Sequence, residues 1–276
     1  MMLHRRDSTR PESAYESREW AKAIRLDEWL NMPPREPVRK AMVQSGTRNI
    51  YPYMIGSVKS YLANSDVDRI FLLIEDDEMN QPLPDCITCI NVKDQKFFPD
   101  GGPNMRSKFT YMALLRSTLC HLFPEYDRIV CVDFDTIAVR DVSGLWDLPL
   151  GEDKYYSASR EPALSRKTGL YYTNIGVCLY NLKKLRDGKA DEIIQELNTT
   201  AYEFVEQDVL IRRCQHHIQP MDSSWNSCPY VDPPAEEVRI EHYAGAKRWE
   251  TRGNMNRYLN TSWDDVMAMH EKHVRK

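Results

Sequence analysis

The chain of 276 residues is poor in the features that mark several classes of protein. It has only 11 glycines, which argues against a glycine-rich phosphate-binding loop as the functional element. No run of apolar residues approaches the ~18 needed to span a bilayer. The first thirty residues are charged throughout and lack the apolar core of a signal peptide. We therefore expect a cytoplasmic protein without a transmembrane segment.

An excess of charge of one sign is also missing. Lys and Arg total 37 against 41 Asp and Glu, which gives a net charge of −4. A dedicated nucleic-acid-binding protein shows a basic excess, so nucleic acid is not expected as a partner. The seven cysteines are scattered and odd in number, which indicates reduced thiols. Cys86 and Cys89 have the spacing of half a zinc site, but no second pair accompanies them.

The apolar pattern predicts a single α/β domain. Strand and helix patterns alternate through the first half, which favours a largely parallel sheet with helices on both faces. The second half is less regular, and we expect it to add antiparallel strands. Strands are predicted at 40–44, 69–74, 86–92, 129–132, 155–158, 175–180 and 240–243, and helices at 52–63, 106–123, 187–197, 202–213 and 262–273.

A helix is also predicted near the N-terminus, at residues 13–31, within a helical extension that spans residues 1–37. An approximate three-to-four spacing is kept by Trp20, Ala23, Ile24, Asp27 and Leu30. Packing of this face on the core is the favoured interpretation. Covering of an acceptor groove and a homodimer contact are the alternatives.

Two Asp-x-Asp pairs occur in the chain, about as many as chance predicts. Asp66 and Asp68 precede a predicted strand and are interpreted as solvated loop residues. Asp133 and Asp135 instead follow the buried strand at 129–132. Ligands bind at the carboxyl ends of strands in open α/β sheets. The position of each pair relative to a strand therefore distinguishes Asp133 and Asp135, as candidate ligand-binding residues, from Asp66 and Asp68.

Two carboxylates brought together at a strand end repel each other unless a divalent cation lies between them. Hard oxygen ligands suit Mg²⁺ or Mn²⁺, which also take substrate phosphates. Asp133 and Asp135 are therefore candidate metal ligands. The alternative is a pair of turn acids with capping roles.

Three further segments carry candidate residues. His242 is followed by Gly245 and Lys247, a grouping that could give an imidazole to a metal and a cation to a diphosphate. Asn174 opens a strand, and Gln207 lies within an acidic cluster of a helix. The ordinary interpretations are a charged surface loop, a turn and a solvated helix face.

Taken in chain order, these four segments resemble the family 8 glycosyltransferases, which include glycogenin and the bacterial lipopolysaccharide galactosyltransferases. The resemblance covers about residues 40–249. It implies a GT-A fold, with a Rossmann-like mixed central sheet flanked by helices, in a catalytic domain of residues 38–276. It also implies retaining, metal-dependent transfer of a hexose or related sugar from a UDP-sugar to a carbohydrate, glycolipid or protein acceptor.

The resemblance also implies roles for particular residues. Asp133, Asp135 and His242 match the ligands of Mn²⁺ or Mg²⁺ in the family. The residues implied in catalysis, by contact with the donor sugar or its anomeric carbon, are Asn174, Gln207 and Asp208. The residues implied in binding the donor nucleotide, its diphosphate and its metal are Ser45, Gly46, Asn49, Tyr51, Arg116 or its alternative Lys108, Asp133, Phe134, Asp135, Gly245 and Lys247.

Several positions depart from the family pattern, and two of them lie in the segments implied to contact the donor sugar. Glu206 replaces the usual Asp before Gln207, and Ile175 replaces a small residue after Asn174. The identity of the donor sugar is therefore left open. Two other classes of function also stay open: another nucleotide-sugar enzyme on a similar sheet, and a non-catalytic protein that binds a nucleotide sugar.

Overall fold

The computed structural model describes Tyr15 and residues 18–33, 35–107, 109–245 and 253–275 of the chain. The strands in these residues, numbered β1 to β10, are Ala23–Arg25, Ala41–Ser45, Arg69–Ile74, Ile87–Asn91, Arg128–Val132, Thr136–Ala138, Tyr156–Arg160, Thr173–Asn181, Ile218–Pro220 and Ile240–His242. The α-helices, numbered α1 to α9, are Leu26–Asn31, Tyr51–Ala63, Leu119–Leu122, Pro162–Thr168, Leu182–Leu185, Lys189–Thr199, Val205–Cys214, Gly253–Asn260 and Trp263–Val274.

Eight of the strands form one sheet, in the order β1-β4-β3-β2-β5-β8-β7-β9. From β1 to β5 in this order all neighbours are parallel, whereas β8 runs antiparallel to both β5 and β7. Strands β6 and β10 form a separate antiparallel ribbon. The predicted mixed sheet, parallel first and antiparallel later, is therefore confirmed.

Helices cover both faces of the sheet. Because successive side chains of a strand point to opposite faces, β5 contributes to both layers. Ile129 and Cys131 pack in an apolar cluster with residues of α6 and α7, whereas Val130 and Val132 pack with residues of α2 and α9. The result is a single α/β domain with a Rossmann-like sheet between two helical layers.

The predicted helix at 13–31 is wrong over Ala23–Arg25. These residues form β1, which pairs in parallel with β4 at the edge of the sheet. Backbone donors and acceptors of β4 find partners there, and this pairing overrides the helical spacing of the apolar residues. Only Leu26–Asn31 is helical within the described part of that segment.

The apolar residues of this segment are also used differently from the prediction. Leu26 and Trp29 are buried against the core, and the indole Nε1 of Trp29 donates to the carbonyl of Leu122 at 2.7 Å. Trp20 and Leu30, which were expected to pack on the core, are 51% and 46% exposed. A domain boundary at residue 37 stays a prediction.

The predicted helix at 106–123 is also wrong over most of its length. Its described residues form turns, a 3₁₀ helix at Leu114–Thr118 and the short helix α3. Hydroxyl groups compete with helical hydrogen bonds here, since Ser107 donates to the carbonyl of Phe109 and Thr118 to that of Leu115. The other predicted strands and helices are confirmed, with ends shifted by up to three residues.

None of the helices in the described part of the chain has the length and apolar character that crossing a bilayer requires. The seven cysteines are free thiols. Burial raises the pKa of Cys86 to about 11 and that of Cys89 to about 12, so both thiols stay protonated. This agrees with the expectation that the pair is not functional.

Candidate active site

The site is built on the turn that follows β5. The carbonyl oxygen of Asp133 accepts hydrogen bonds from Gln44 Nε2 at 3.0 Å, Thr136 Oγ1 at 2.7 Å and Thr136 N at 3.2 Å. The backbone N–H of Asp133 donates to the carbonyl of Gly176 at 2.7 Å. These bonds fix the backbone that presents the carboxylates of Asp133 and Asp135.

The ribbon of β6 and β10 brings the third candidate ligand to this turn. His242 lies directly opposite Thr136 in the antiparallel register. The N–H of Tyr243 donates to the carbonyl of Asp135 at 2.9 Å. Residues more than one hundred positions apart in sequence therefore meet through backbone pairing.

His242 Nε2 lies 3.5 Å from Asp133 Oδ2 and 3.5 Å from Asp135 Oδ1. One ligand atom from each of the three residues lies within 4.8 Å of the others. His242 and Asp135 are buried, and Asp133 is partly exposed. The structure thus brings together all three residues that were predicted as metal ligands.

The hydrogen-bond network assigns the tautomer of His242. Its Nδ1 lies 2.9 Å from the amide oxygen of Asn226, so the Nδ1 proton points to Asn226. Nε2 then faces the two carboxylates. Burial opposes a charge on the imidazole, but Asp135 and Cys228 outweigh it and raise the pKa of His242 to about 9.

This donor set fits a divalent cation. Two carboxylates and one neutral imidazole suit Mn²⁺ or Mg²⁺, which prefer hard ligands. A protein partner on the distal nitrogen of the imidazole is the arrangement found around metal-bound histidines in general. Asp133, Asp135 and His242 would therefore hold the ion.

Arg116 joins Asp133 to a second carboxylate beneath the site. The buried guanidinium forms an ion pair with Asp133 and lies 3.9 Å from Glu206 Oε1, and it donates to the carbonyl of Ile175 at 3.0 Å. Burial raises the pKa of Glu206, and the charge of Arg116 opposes this rise. Glu206, which replaces the Asp of the family pattern, is buried against Arg116.

Asn174 and Gln207 meet on the other side of the site. Asn174 Nδ2 donates to Glu161 Oε1 at 2.8 Å, and Gln207 Oε1 lies 3.4 Å from the N–H of Ile175. Burial raises the pKa of Glu161, against hydrogen bonds from Asn174 and Gln207 that favour its ionised form. The structure therefore places the buried carboxylate of Glu161 beside the two predicted polar residues.

Asp208 holds the start of α7. Its carboxylate accepts from the hydroxyl of Tyr172 and, at 2.9 Å, from the N–H of Phe204. Val205, which follows Phe204, has a φ of +44°, a conformation that costs a β-branched residue about 1–3 kcal/mol. This strained residue lies two positions before Gln207. Asp208 therefore stabilises the backbone that positions Gln207.

The residues predicted on the uridine side lie near the ends of β2 and α2. Ser45 ends β2, parallel to β5, and its hydroxyl donates to the carbonyl of Met112 at 3.2 Å. Gly46 is buried, and a Cβ there would lie 2.9 Å from Ile50 Cγ1 and closer to Met54 Sδ. The close packing around Gly46 explains why this turn needs a glycine.

Asn49 and Tyr51 differ in how far they are available to a ligand. The amide of Asn49 is exposed and accepts from Thr47 Oγ1 at 2.6 Å. The ring of Tyr51 is buried, and its hydroxyl donates to Asp76 Oδ2 at 2.9 Å. The roles of both residues in donor binding stay predictions.

The remaining predicted residues flank the metal ligands. Phe134 packs between the apolar cluster around α2 and a smaller one under the ribbon. Gly245 has a φ of +78°, which favours glycine, and a Cβ there would lie 3.2 Å from Tyr230 Cζ. Lys108 and Lys247 lie outside the described residues, so their roles stay predictions.

Two residues of the site were not singled out as candidates from sequence. Asn226 follows Trp225 in a polar stretch without a motif, and its contact with His242 depends on long-range folding. Gly176 lies two residues after Asn174 in β8 and has no side chain that would suggest a role. Its importance follows from the imidazole of His242, which lies against its α-carbon.

Comparison with known proteins identifies the class. The profile described as "Glycosyl transferase family 8" matches residues 77–253, more than half of the chain. The chain therefore belongs to glycosyltransferase family 8. A comparison with curated protein sequences finds no match.

Several solved glycosyltransferase structures are similar. The galactosyltransferase LgtC, solved with donor and acceptor sugar analogs, has a TM-score of 0.63 and 20% identity over 83% of this chain and 99% of that one. GlyE of Streptococcus pneumoniae TIGR4 has a TM-score of 0.64 and 19% identity over 86% and 64%. Mouse xyloside xylosyltransferase 1 has a TM-score of 0.55 and 15% identity over 75% and 98%. The predicted GT-A fold is thereby confirmed.

Proposed function

We propose that the protein is a retaining glycosyltransferase that moves a hexose or related sugar from a UDP-sugar to an acceptor hydroxyl in a metal-dependent reaction. One observation carries this proposal. In a member of glycosyltransferase family 8, Asp133, Asp135 and His242 converge at the carboxyl end of the parallel strands.

Asp133, Asp135 and His242 are the proposed ligands of Mn²⁺ or Mg²⁺. The bound ion supplies a Lewis acid that neutralises negative charge on a leaving diphosphate. The backbone of Gly245 and the ammonium group of Lys247 are the proposed additional donors to the diphosphate. The ion pair of Arg116 with Asp133 holds this carboxylate in place.

Asn174, Glu161 and Gln207 are the proposed contacts of the donor sugar. Their side chains cluster at one end of β8, and their amide and carboxylate groups can hydrogen-bond sugar hydroxyls. These three side chains would orient the anomeric carbon toward the acceptor.

The transfer step breaks the bond between the anomeric carbon and the diphosphate oxygen, and both electrons leave with that oxygen. The acceptor hydroxyl oxygen forms its bond to the anomeric carbon from the same face, so the configuration is retained. The hydroxyl proton passes to the leaving diphosphate. The products are the glycoside and UDP.

Attack from the leaving-group face is favoured over a covalent intermediate because two nearby carboxylates are engaged with the protein. Glu206 is buried against Arg116. Asp208 accepts hydrogen bonds from Tyr172 and Phe204. A covalent route needs a carboxylate nucleophile directed at the anomeric carbon, as in retaining glycosidases.

Nucleotide release from a panel of UDP- and GDP-sugars, with Mn²⁺, with Mg²⁺ and with chelator, tests the proposal. We expect metal-dependent UDP release from one donor, including slow hydrolysis without acceptor. The anomeric configuration of the product, followed by NMR, tests retention. Thermal stabilisation by Mn²⁺ plus UDP without any release would indicate the non-catalytic alternative.

The acceptor, whether a carbohydrate, a glycolipid or a protein, stays a prediction from the resemblance. The same holds for the cytoplasmic location and for a homodimer.

A further inference from the structure

Asn226 lies at the centre of the site and is fully buried. It follows a 3₁₀ helix at Ser223–Trp225 and precedes β10. Its N–H donates to the carbonyl of Ser223 at 3.1 Å, and the next residue, Ser227, exchanges backbone hydrogen bonds with β10. Local backbone structure therefore fixes this side chain between the ribbon and the main sheet.

Both ends of the Asn226 amide are used. Its Oδ1 accepts from His242 Nδ1 at 2.9 Å. Its Nδ2 lies 3.0 Å from Asn174 Oδ1 and 3.2 Å from the Asn174 carbonyl oxygen. The opposite amide orientation would put an oxygen against these two oxygens, so the neighbours determine the orientation.

The hydrogen bonds of this cluster run in one direction. His242 Nδ1 donates to Asn226, Asn226 Nδ2 donates to Asn174, and Asn174 Nδ2 donates to Glu161. This series of hydrogen bonds ends at the Glu161 carboxylate, which can only accept hydrogen bonds when it is ionised. All four residues of the series are buried. Loss of Asn226 would leave His242 Nδ1 without its partner, whereas Asn174 Oδ1 would keep the hydrogen bond that it accepts from the Gly176 N–H at 3.0 Å.

We propose that Asn226 is a positioning residue that links the metal ligand to the sugar-binding residues. Through Oδ1 it holds the imidazole of His242 with Nε2 toward Asp133 and Asp135. Through Nδ2 it holds the amide of Asn174 in the orientation that donates to Glu161. This role rests on the function proposed above. It extends that function because the position of the metal ligand His242 and the position of the sugar-binding residue Asn174 become coupled through Asn226.

The first experiment compares Mn²⁺ binding by the wild type and by Asn226→Ala, measured by calorimetry with the metal alone. We expect the substitution to weaken Mn²⁺ binding by about 10- to 100-fold, the usual effect of removing a partner of a metal-bound histidine. Asn104→Ala is the matched control. Asn104 is also a buried asparagine, whose amide bonds backbone groups of Leu197, Thr200 and Tyr202 away from the site.

The control should bind Mn²⁺ as the wild type does. Wild-type affinity in Asn226→Ala, or an equal loss in Asn104→Ala, would overturn the proposed role. Thermal unfolding of both variants in chelator shows whether they are comparably folded.

A second variant tests the contact with His242 and the contact with Asn174 separately. It also provides the test if Asn226→Ala does not fold. Asn226→Asp keeps an oxygen that accepts from His242 but replaces the donor to Asn174 with an acceptor. We expect Mn²⁺ affinity at least equal to that of the wild type. The kcat for UDP release at saturating Mn²⁺ should fall at least tenfold, because Asn174 must rotate and loses its bond to Glu161. Unchanged kcat, or lost Mn²⁺ affinity, would contradict the coupling.

The outcome is separable from that of the proposed function. Mn²⁺ affinities need no donor, so a difference between wild type and Asn226→Ala supports the positioning role even if no nucleotide sugar is turned over. Equal binding by both proteins, together with turnover by the wild type, would overturn the role of Asn226 alone. Absence of Mn²⁺ binding by the wild type would overturn the proposed metal site and this role with it.

Discussion

The imidazole of His242 packs directly against the α-carbon of Gly176 in strand β8. A Cβ at position 176 would lie 2.8 Å from Nε2 and closer still to Nδ1 and Cε1. Real side chains do not approach a Cβ this closely. His242 can therefore occupy its position only because residue 176 has no side chain.

Replacing Gly176 with alanine should displace His242 from the two carboxylates. We expect Mn²⁺ affinity to fall at least tenfold, since ligand geometry within about 0.5 Å is needed for a productive site. Calorimetry with Mn²⁺ measures the loss. Gly144→Ala is the matched control, because a Cβ there meets only Trp225 at an ordinary 3.6 Å. Equal affinities in the two variants would show that the ring tolerates the methyl group.

Asp135→Asn should abolish metal-dependent UDP release and leave the fold intact. The substitution removes one negative ligand from a site that also holds Asp133 and His242. Release assays and thermal unfolding are the measurements. Asp68→Asn, in the other Asp-x-Asp pair, is the control, since Asp68 only accepts from the N–H of Lys40. Near-normal turnover by Asp135→Asn would contradict the metal assignment.

Arg116 and Glu206 should be strongly coupled in stability. Arg116→Met leaves a buried carboxylate without its partner, and breaking such a pair costs about 3–5 kcal/mol of unfolding free energy. The double variant Arg116→Met, Glu206→Met should recover the part of this loss that comes from Glu206, whereas Asp133 and the carbonyl of Ile175 lose Arg116 in both variants. Urea unfolding in chelator measures the cycle. Additive effects would show that the two groups do not interact.

Metal affinity should depend on pH through His242. Its pKa is about 9 in the absence of metal, so at pH 7 a proton occupies the nitrogen that the metal needs. Mn²⁺ must displace this proton, and its affinity should therefore rise about tenfold per pH unit from pH 6 to 8. Calorimetry across this range, with proton release measured in two buffers, checks the sign. A flat profile in the wild type, equal to that of His242→Asn, would contradict it.

Sequence patterns located the acids of the proposed metal site because both follow a strand that the local sequence predicts. Ile129 to Val132 form an apolar run, so Asp133 and Asp135 fall at a strand end where ligands bind. The same argument correctly set aside Asp66 and Asp68, which bond Lys40 instead. Assignment of His242 needed the resemblance, since a single histidine in a strand carries no such signal.

Long-range pairing explains what sequence reasoning missed. Ala23–Arg25 lies in a segment whose apolar residues have helical spacing, but it forms a strand that pairs with the edge of β4. Asn226 lies in a stretch without periodicity, and only the folded chain brings it between His242 and Asn174. Glu206 looked like a polar helix face from sequence. Its burial depends on Arg116, which reaches it from another segment.

The order of elements along the chain has a consequence for biosynthesis. All eight strands of the main sheet are contained in Ala23–Pro220, whereas His242 ends the last strand of the ribbon. A ribosome therefore delivers the whole sheet, with Asp133 and Asp135 in it, before the third ligand is made. In small zinc domains, by contrast, the bound metal organises the chain. Here the order of elements would allow the sheet to position Asp133 and Asp135 without the third candidate ligand, so the fold would create the proposed metal site.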